Sequence, residues 1–234
     1  MNRARNGMQR LVLFDIDGTI LSGGPAKESF RLALEEVFGT AGPIESWEFS
    51  GKTDPQIARE LLTEAGLSGD RIEEGFPRLW GRYLSEMEAR LPAAPPTVLP
   101  GVLELLAELE GRTSVALGLL TGNVAPGADL KLGAAGVTTR FAVGAYGCDN
   151  EVRNALPAIA VGRATEHWGV AFPSRDVVII GDTPRDVACG RHHGTRTVAV
   201  ATGRFDARTL GDTGADVVLE DLAETERALE ALLD

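Results

Sequence analysis

Short apolar runs that stop abruptly at small polar and acidic residues recur along this chain. The first is Leu11-Val12-Leu13-Phe14, followed at once by Asp15-Ile16-Asp17-Gly18-Thr19. Four consecutive apolar positions suit a strand covered on both faces, as in a parallel sheet. Ser114 to Leu120 repeats the pattern and runs into Thr121-Gly122-Asn123. Val177 to Ile180 does so again and runs into Gly181-Asp182-Thr183-Pro184-Arg185-Asp186. Shorter strands are expected at 141–143, 197–200 and 216–219.

Between these runs the apolar period lengthens to that of a helix. Phe30, Ala33, Leu34, Val37 and Phe38 form one stripe, with Pro25 in the first turn and Gly39 and Gly42-Pro43 closing it. Asp54-Pro55 predicts an N-cap and first helical residue ahead of Ile57, Leu61 and Ala65, and Gly66 ends that helix. A longer helix from near Asp70 carries Phe76, Leu79, Tyr83, Met87 and Leu91 on one side, weakened at Gly81. Residues 22–92 therefore read as a helical insertion after the first strand, closed by the proline-rich linker Pro92 to Thr97. Beyond Pro100, helices at 101–110, 127–135, 154–168, up to about 193 and at 222–233 alternate with the strands. That alternation predicts an α/β fold, a doubly wound parallel sheet assembled from 1–21 and 93–234.

Composition narrows the functional classes. The 234 residues are 44% hydrophobic and 24% charged, an ordinary globular mixture. No run approaches the roughly 18 apolar residues of a membrane span, and the polar start lacks the apolar core of a secretory signal, so a cytoplasmic location is expected. Cys148 and Cys189 lie far apart without zinc-ligand spacing, and buried thiols are expected. A formal charge of −11 argues against nucleic acid as a partner. An anionic ligand would need local positive charge, so the three lysines, Lys27, Lys52 and Lys131, each matter, although solvated surface positions are the common fate of lysine.

The strand ends carry the candidate chemistry. Asp15 and Asp17 are two residues apart, so on an extended backbone both carboxylates leave one face, roughly 6 to 7 Å apart. One could act as nucleophile and the other as proton donor; the alternative is a hairpin turn at Asp17-Gly18 with incidental acids. A parallel sheet brings the three strand ends to one edge. Asp15, Asp17 and Asp182 would repel one another there unless they share a cation, and oxygen-only ligands beside a phosphate suit magnesium. The Thr121 hydroxyl and the Gly122 and Asn123 amides could hold phosphate oxygens.

Asp15-Ile16-Asp17-Gly18-Thr19, Thr121 within Leu-Leu-Thr-Gly-Asn, and Gly181-Asp182-Thr183-Pro184-Arg185-Asp186 resemble, in order, spacing and strand context, the first, second and fourth motifs of the haloacid dehalogenase superfamily of phosphotransferases. The resemblance covers nearly the whole chain, and the insertion is similar to the small helical cap of the phosphoglycolate phosphatase and β-phosphoglucomutase branch. It implies Asp15 as nucleophile, forming an aspartyl-phosphate, and Asp17 as the acid and base. Mg2+ would be held by Asp15, the Asp17 carbonyl and Asp182, with Asp186 at or just behind the metal. Thr121 would hold a phosphoryl oxygen, with Gly18, Thr19, Gly122 and Asn123 around the substrate. The family's third-motif lysine has no counterpart; Arg153 stands in its place, with Arg163 as the fallback. Lys52, in Gly51-Lys52-Thr53-Asp54, would reach the leaving group from the cap or else lie solvated beside a helix cap. Arg185 would pair with a neighbouring carboxylate. The expected function is a magnesium-dependent phosphatase of a small phosphorylated metabolite, phosphoglycolate being one candidate. A sugar phosphomutase, a phosphonate hydrolase using Lys52 and a noncatalytic binding protein are the alternatives.

Overall fold

In the computed structural model, which describes residues 9–234, the chain opens with strand β1 (Arg10–Phe14) and the short strand β2 (Leu21–Ser22). Helices α1 (Ala26–Phe38), α2 (Asp54–Glu64) and α3 (Gly69–Arg90) follow, then β3 (Thr97–Val98). Thereafter come α4 (Val102–Glu110), β4 (Val115–Leu120), α5 (Ala125–Ala134), β5 (Val143–Ala145), α6 (Leu156–Trp168) and β6 (Val177–Gly181). The chain ends with α7 (Pro184–His193), β7 (Arg196–Val200), α8 (Ala207–Asp212), β8 (Val217–Leu219) and α9 (Thr225–Leu233).

Six strands form one parallel sheet in the order β5-β4-β1-β6-β7-β8. Successive residues of the central strands face opposite sides, as the two-residue period of a strand requires. Val12, Phe14, Leu117, Leu119, Val178 and Ile180 pack with α4, α5 and α9, while Leu11, Leu13, Val177 and Ile179 pack with α6 and Cys189 of α7. Both faces are covered, which explains the unbroken apolar runs. β1 lies between β4 and β6, so the three strands that end in polar clusters are neighbours. The chain leaves β1 toward β4 on one side and reaches β6 on the other, the switch in strand order beside which open α/β sheets bind ligands.

The helices of residues 26–90 have a core of their own, in which Phe30, Leu34, Phe38, Ile57, Leu61, Leu79, Tyr83 and Met87 are buried together and Val124, just before α5, joins them. Gly39 ends α1 in the left-handed conformation, φ 80°, as its position predicts. The polypeptide passes between this bundle and the sheet twice, and the two crossings pair as an antiparallel ribbon, Leu21 with Val98 and Ser22 with Thr97.

Several local expectations are corrected. The N-cap of α2 is Thr53, whose hydroxyl accepts from the Gln56 amide at 3.3 Å, and Asp54 is the first helical residue. The loop at 20–25 contains a two-residue strand and the linker ends in the first residue of another, both too short to leave a period in the sequence. β5 begins two residues later than expected, and α8 was not foreseen. Cys148 is exposed; only Cys189 is a buried thiol, pushed up to about 12 by burial.

Candidate active site

Asp15 continues the ladder beyond β1, its amide donating to the Ile180 carbonyl at 2.9 Å, so the carboxylate emerges where the sheet ends. Asp17-Gly18 does not form a hairpin between paired strands, because β1 pairs with β4 and β6, both parallel to it. Gly18 has φ +86°, and a Cβ there would lie 2.3 Å from a carboxylate oxygen of Asp182. Only glycine lets the first and third strand ends approach so closely. After β6, Thr183 caps α7 and Asp186 completes a capping box, accepting from the Thr183 amide at 3.0 Å and hydroxyl at 2.6 Å.

Asp15, Asp182 and Asp186 are buried, each with a carboxylate oxygen within 4.8 Å of the others. Arg153, buried just ahead of α6, points its guanidinium into this cluster, 3.3 Å from Asp15 and in direct contact with Asp186. Burial, partly offset by Arg153 and reinforced by Asp186 and Asp17, raises the Asp15 carboxyl to about 7. Burial and the charges of Asp186 and Asp15 raise Asp182 to about 8. Three carboxylates facing one guanidinium leave the pocket short of positive charge, and its donors are all oxygen, which fits a hard divalent ion such as magnesium. Within that cluster Asp186 already accepts from Thr183 and Arg153 through both oxygens, so Asp15 and Asp182 are the carboxylates left open to an ion.

Asp17 faces the other way. Its side chain is 49% exposed, against 6% for Asp15, and it is met by the buried ammonium of Lys131 from α5 at 2.7 and 2.9 Å. Partial desolvation in the cleft would raise its carboxyl, but the Lys131 charge and the hydrogen bonds from Lys131 and Asn123 hold it below the ordinary value. Asn123 donates to Asp17 and to the Thr121 hydroxyl oxygen, both at 2.8 Å.

The insertion reaches this edge through residues 51–54. The Asp54 amide donates to the Gly122 carbonyl, and the Asp54 carboxylate accepts from the Val124 amide, both at 2.8 Å. Arg153 also donates to the Gly51 carbonyl at 3.2 Å, and Arg185 to that of Ser50 at 3.2 Å. Between the loop and the strand ends lies a cavity of about 460 Å³. Asp15, Asp17, Thr121, Arg153 and Asp182 form its floor and Phe30, Phe49, Ile57 and Tyr83 its apolar roof. This volume is in the range of small-molecule sites.

Of the residues singled out from the sequence, Asp15, Asp17, Gly18, Lys52, Thr121, Gly122, Asn123, Arg153 and Asp182 line this one cavity. Thr19 does not: it is fully buried, with its hydroxyl 3.5 Å from Asp182, so it supports that carboxylate from behind. The Lys52 ammonium is engaged by Glu60 and lies over the Trp47 ring at 5.4 Å. Arg163 is directed to Asp149 and the Gly144 carbonyl, away from the carboxylate cluster. Arg185 meets a loop carbonyl where a carboxylate was expected. Lys131, singled out from the sequence only as one of three lysines and given no place in the site there, also lines the cavity; Ala128 and Leu132 share its buried helix face, a spacing that already pointed inward.

Comparison with known proteins agrees with the fold and with the family resemblance. Residues 153–225 match a family model described as HAD-hydrolase-like. A protein of Dickeya dadantii described as a probable phosphatase, IndB, is 30% identical over 97% of this chain and 96% of its own. The phosphoglycolate phosphatase of Synechococcus elongatus is 28% identical over 95% of this chain and 98% of its own. Among solved structures, a hydrolase from Pseudomonas syringae superposes with a TM-score of 0.68 at 20% identity, covering 97% of this chain and all of that one.

Proposed function

This chain belongs to the haloacid dehalogenase-like hydrolases, and from that premise we propose that it is a magnesium-dependent phosphatase that cleaves a small phosphate monoester through an aspartyl-phosphate on Asp15. The observation that carries the reading is the pairing of Asp15 and Asp182, buried and short of positive charge, with the guanidinium of Arg153 across the cavity floor. A nucleophile, a place for a divalent ion and a cation for phosphoryl oxygens thus meet at one point. Arg153 Nε has no partner among the described residues, which leaves it a donor.

In the first step a carboxylate oxygen of Asp15 bonds to phosphorus as the bond from phosphorus to the leaving alcohol breaks. Asp17, as an acid, gives its proton to that alcohol oxygen. The dianionic phosphate arriving beside Asp17 favours this protonated form, since like charges raise a carboxyl's proton affinity. In the second step Asp17, now a carboxylate, takes a proton from water as the water oxygen bonds to phosphorus. The bond from Asp15 to phosphorus breaks, and inorganic phosphate leaves with both aspartates restored. Magnesium held by the Asp15 and Asp182 carboxylates and the Asp17 carbonyl would offset the repulsion between Asp15 and the phosphate. The Thr121 hydroxyl and Arg153 would orient the phosphoryl oxygens.

Residues 22–92 serve in this reading as a cap that shields the reacting centre from water and limits the leaving group to what the cavity under Phe30, Phe49 and Tyr83 admits. Phosphoglycolate is a candidate substrate, in keeping with the activity named for the Synechococcus relative. The test is phosphate release from a panel of phosphorylated metabolites, with magnesium and with EDTA, for the parent protein and Asp15→Asn. We expect metal-dependent release that falls by on the order of 10³-fold or more in the variant. Activity that survives in Asp15→Asn removes Asp15 from the nucleophile's role, and interconversion of sugar phosphates without phosphate release replaces the hydrolase with a mutase.

A further inference from the structure

Among the described residues two basic side chains are buried, Arg153 and Lys131. Lys131 lies in none of the recognised motifs. An ammonium has three hydrogens and no acceptor, and here each has a partner: Asp17 Oδ1 at 2.9 Å, Asp17 Oδ2 at 2.7 Å and Asn123 Oδ1 at 2.6 Å. No donor remains for a substrate, so whatever Lys131 contributes passes through Asp17 and Asn123.

Because Lys131 can only donate, it draws the carbonyl end of the Asn123 amide toward itself. The amide nitrogen must then face Asp17 Oδ2 and Thr121 Oγ1, both at 2.8 Å. Thr121 Oγ1 also receives the Asn123 backbone N–H at 3.3 Å. With two donors directed at it, this oxygen keeps one function, its own hydrogen, and Thr121 lines the cavity. The same ammonium grips both oxygens of Asp17 and so fixes the plane of this half-exposed acid where it lines the cavity.

We infer that Lys131 is a positioning residue for phosphoryl transfer: through Asn123 it holds the Thr121 hydroxyl as a donor to a phosphoryl oxygen, and directly it holds the Asp17 carboxyl toward the leaving oxygen. The inference rests on the phosphatase reading for its consequence in turnover, but its phosphate-binding consequence is independent of turnover. Nothing in it requires Lys131 to touch the substrate.

Lys131→Met keeps the length of the side chain and removes the charge and its three bonds. Two substrates, an ester and an acyl phosphate, separate positioning from mere support. An alkyl phosphate needs a proton on its leaving oxygen, whereas acetyl phosphate releases acetate and does not. With magnesium present we expect Lys131→Met to lose about 10²-fold in kcat/KM on the most reactive alkyl phosphate of the panel and roughly tenfold less than that on acetyl phosphate. We also expect weaker binding of inorganic phosphate by calorimetry, the part of the effect that runs through Thr121. Equal losses on the two substrates with phosphate affinity unchanged, or no loss at all, would overturn the inference. Should Lys131→Met fail to fold, Lys131→Gln decides by the same two comparisons, since it removes the charge while leaving a polar side chain beside Asp17: weakened phosphate binding supports the inference and unchanged binding sinks it. A parent protein that binds phosphate but hydrolyses neither substrate defeats the phosphatase reading, and the binding comparison still decides the role of Lys131.

Discussion

Arg153 illustrates how a single residue can serve two surfaces at once. One nitrogen reaches Asp15 and Asp186 while another holds the Gly51 carbonyl of the insertion, 3.2 Å away. A lysine would keep the charge but could not span both with a planar fork. We therefore expect Arg153→Lys to retain measurable turnover with a loss of about tenfold, and Arg153→Ala to lose at least about 10²-fold, while Arg163→Ala stays near the parent value. Steady-state kinetics on the same ester would check this; a larger loss in Arg163→Ala would reverse the assignment. At this scale the sequence was most legible where chemistry is concentrated at a strand end, as at Asp15, Thr121 and Asp182. It was least legible where a role depends on what a side chain meets far along the chain. Thr19 lies within the first motif yet turns behind Asp182, and Lys131 reads as a surface lysine until Asp17, 114 positions away, is placed beside it.

The elements that could be read were those whose burial is uniform. β1, β4 and β6 are covered on both faces, so their apolar runs are unbroken, and α1 and α3 carry stripes long enough to fix a period. The six-residue α8 and the two-residue β2 and β3 offer too few positions for any pattern. Docking between elements leaves a different trace, a glycine where backbones touch. A Cβ on Gly122 would lie 2.1 Å from the Lys52 carbonyl oxygen and 3.0 Å from the Thr53 Cα, so this glycine admits the loop at 51–54 to the sheet edge. Gly122→Ala should displace that loop while sparing the helical core around Leu61 and Met87. The expected outcome is an increase in KM of about tenfold with the melting temperature little changed, since misplacing a closing segment costs more in binding and orientation than in packing. An unchanged KM would mean that the loop's contact with Gly122 has no part in substrate binding.

For the whole molecule, the acids buried at the sheet edge link stability to pH and metal. Asp182 is raised to about 8, Asp15 to about 7 and Asp54 to about 6, in each case chiefly by burial. In the unfolded chain the same groups titrate near 4. Between about pH 4 and these values the folded protein keeps protons that the unfolded chain has released, so stability must fall as pH rises through the window. The acids held low, such as Asp17, Glu60 and Asp149, act in the opposite sense, but only below about pH 5, where the unfolded chain takes up protons that the folded protein still excludes. Melting temperatures of EDTA-treated protein should therefore drop by on the order of several degrees between about pH 5.5 and about pH 8. Magnesium favours the ionised carboxylates, so it should restore more at the upper end than at the lower. Asp182→Asn removes the group with the highest value and should flatten the slope and blunt the response to magnesium together. A melting temperature that is level or rising over this range, or a magnesium shift equal at both ends, would show that Asp15 and Asp182 are ionised without a cation and that their charges are balanced within the protein itself.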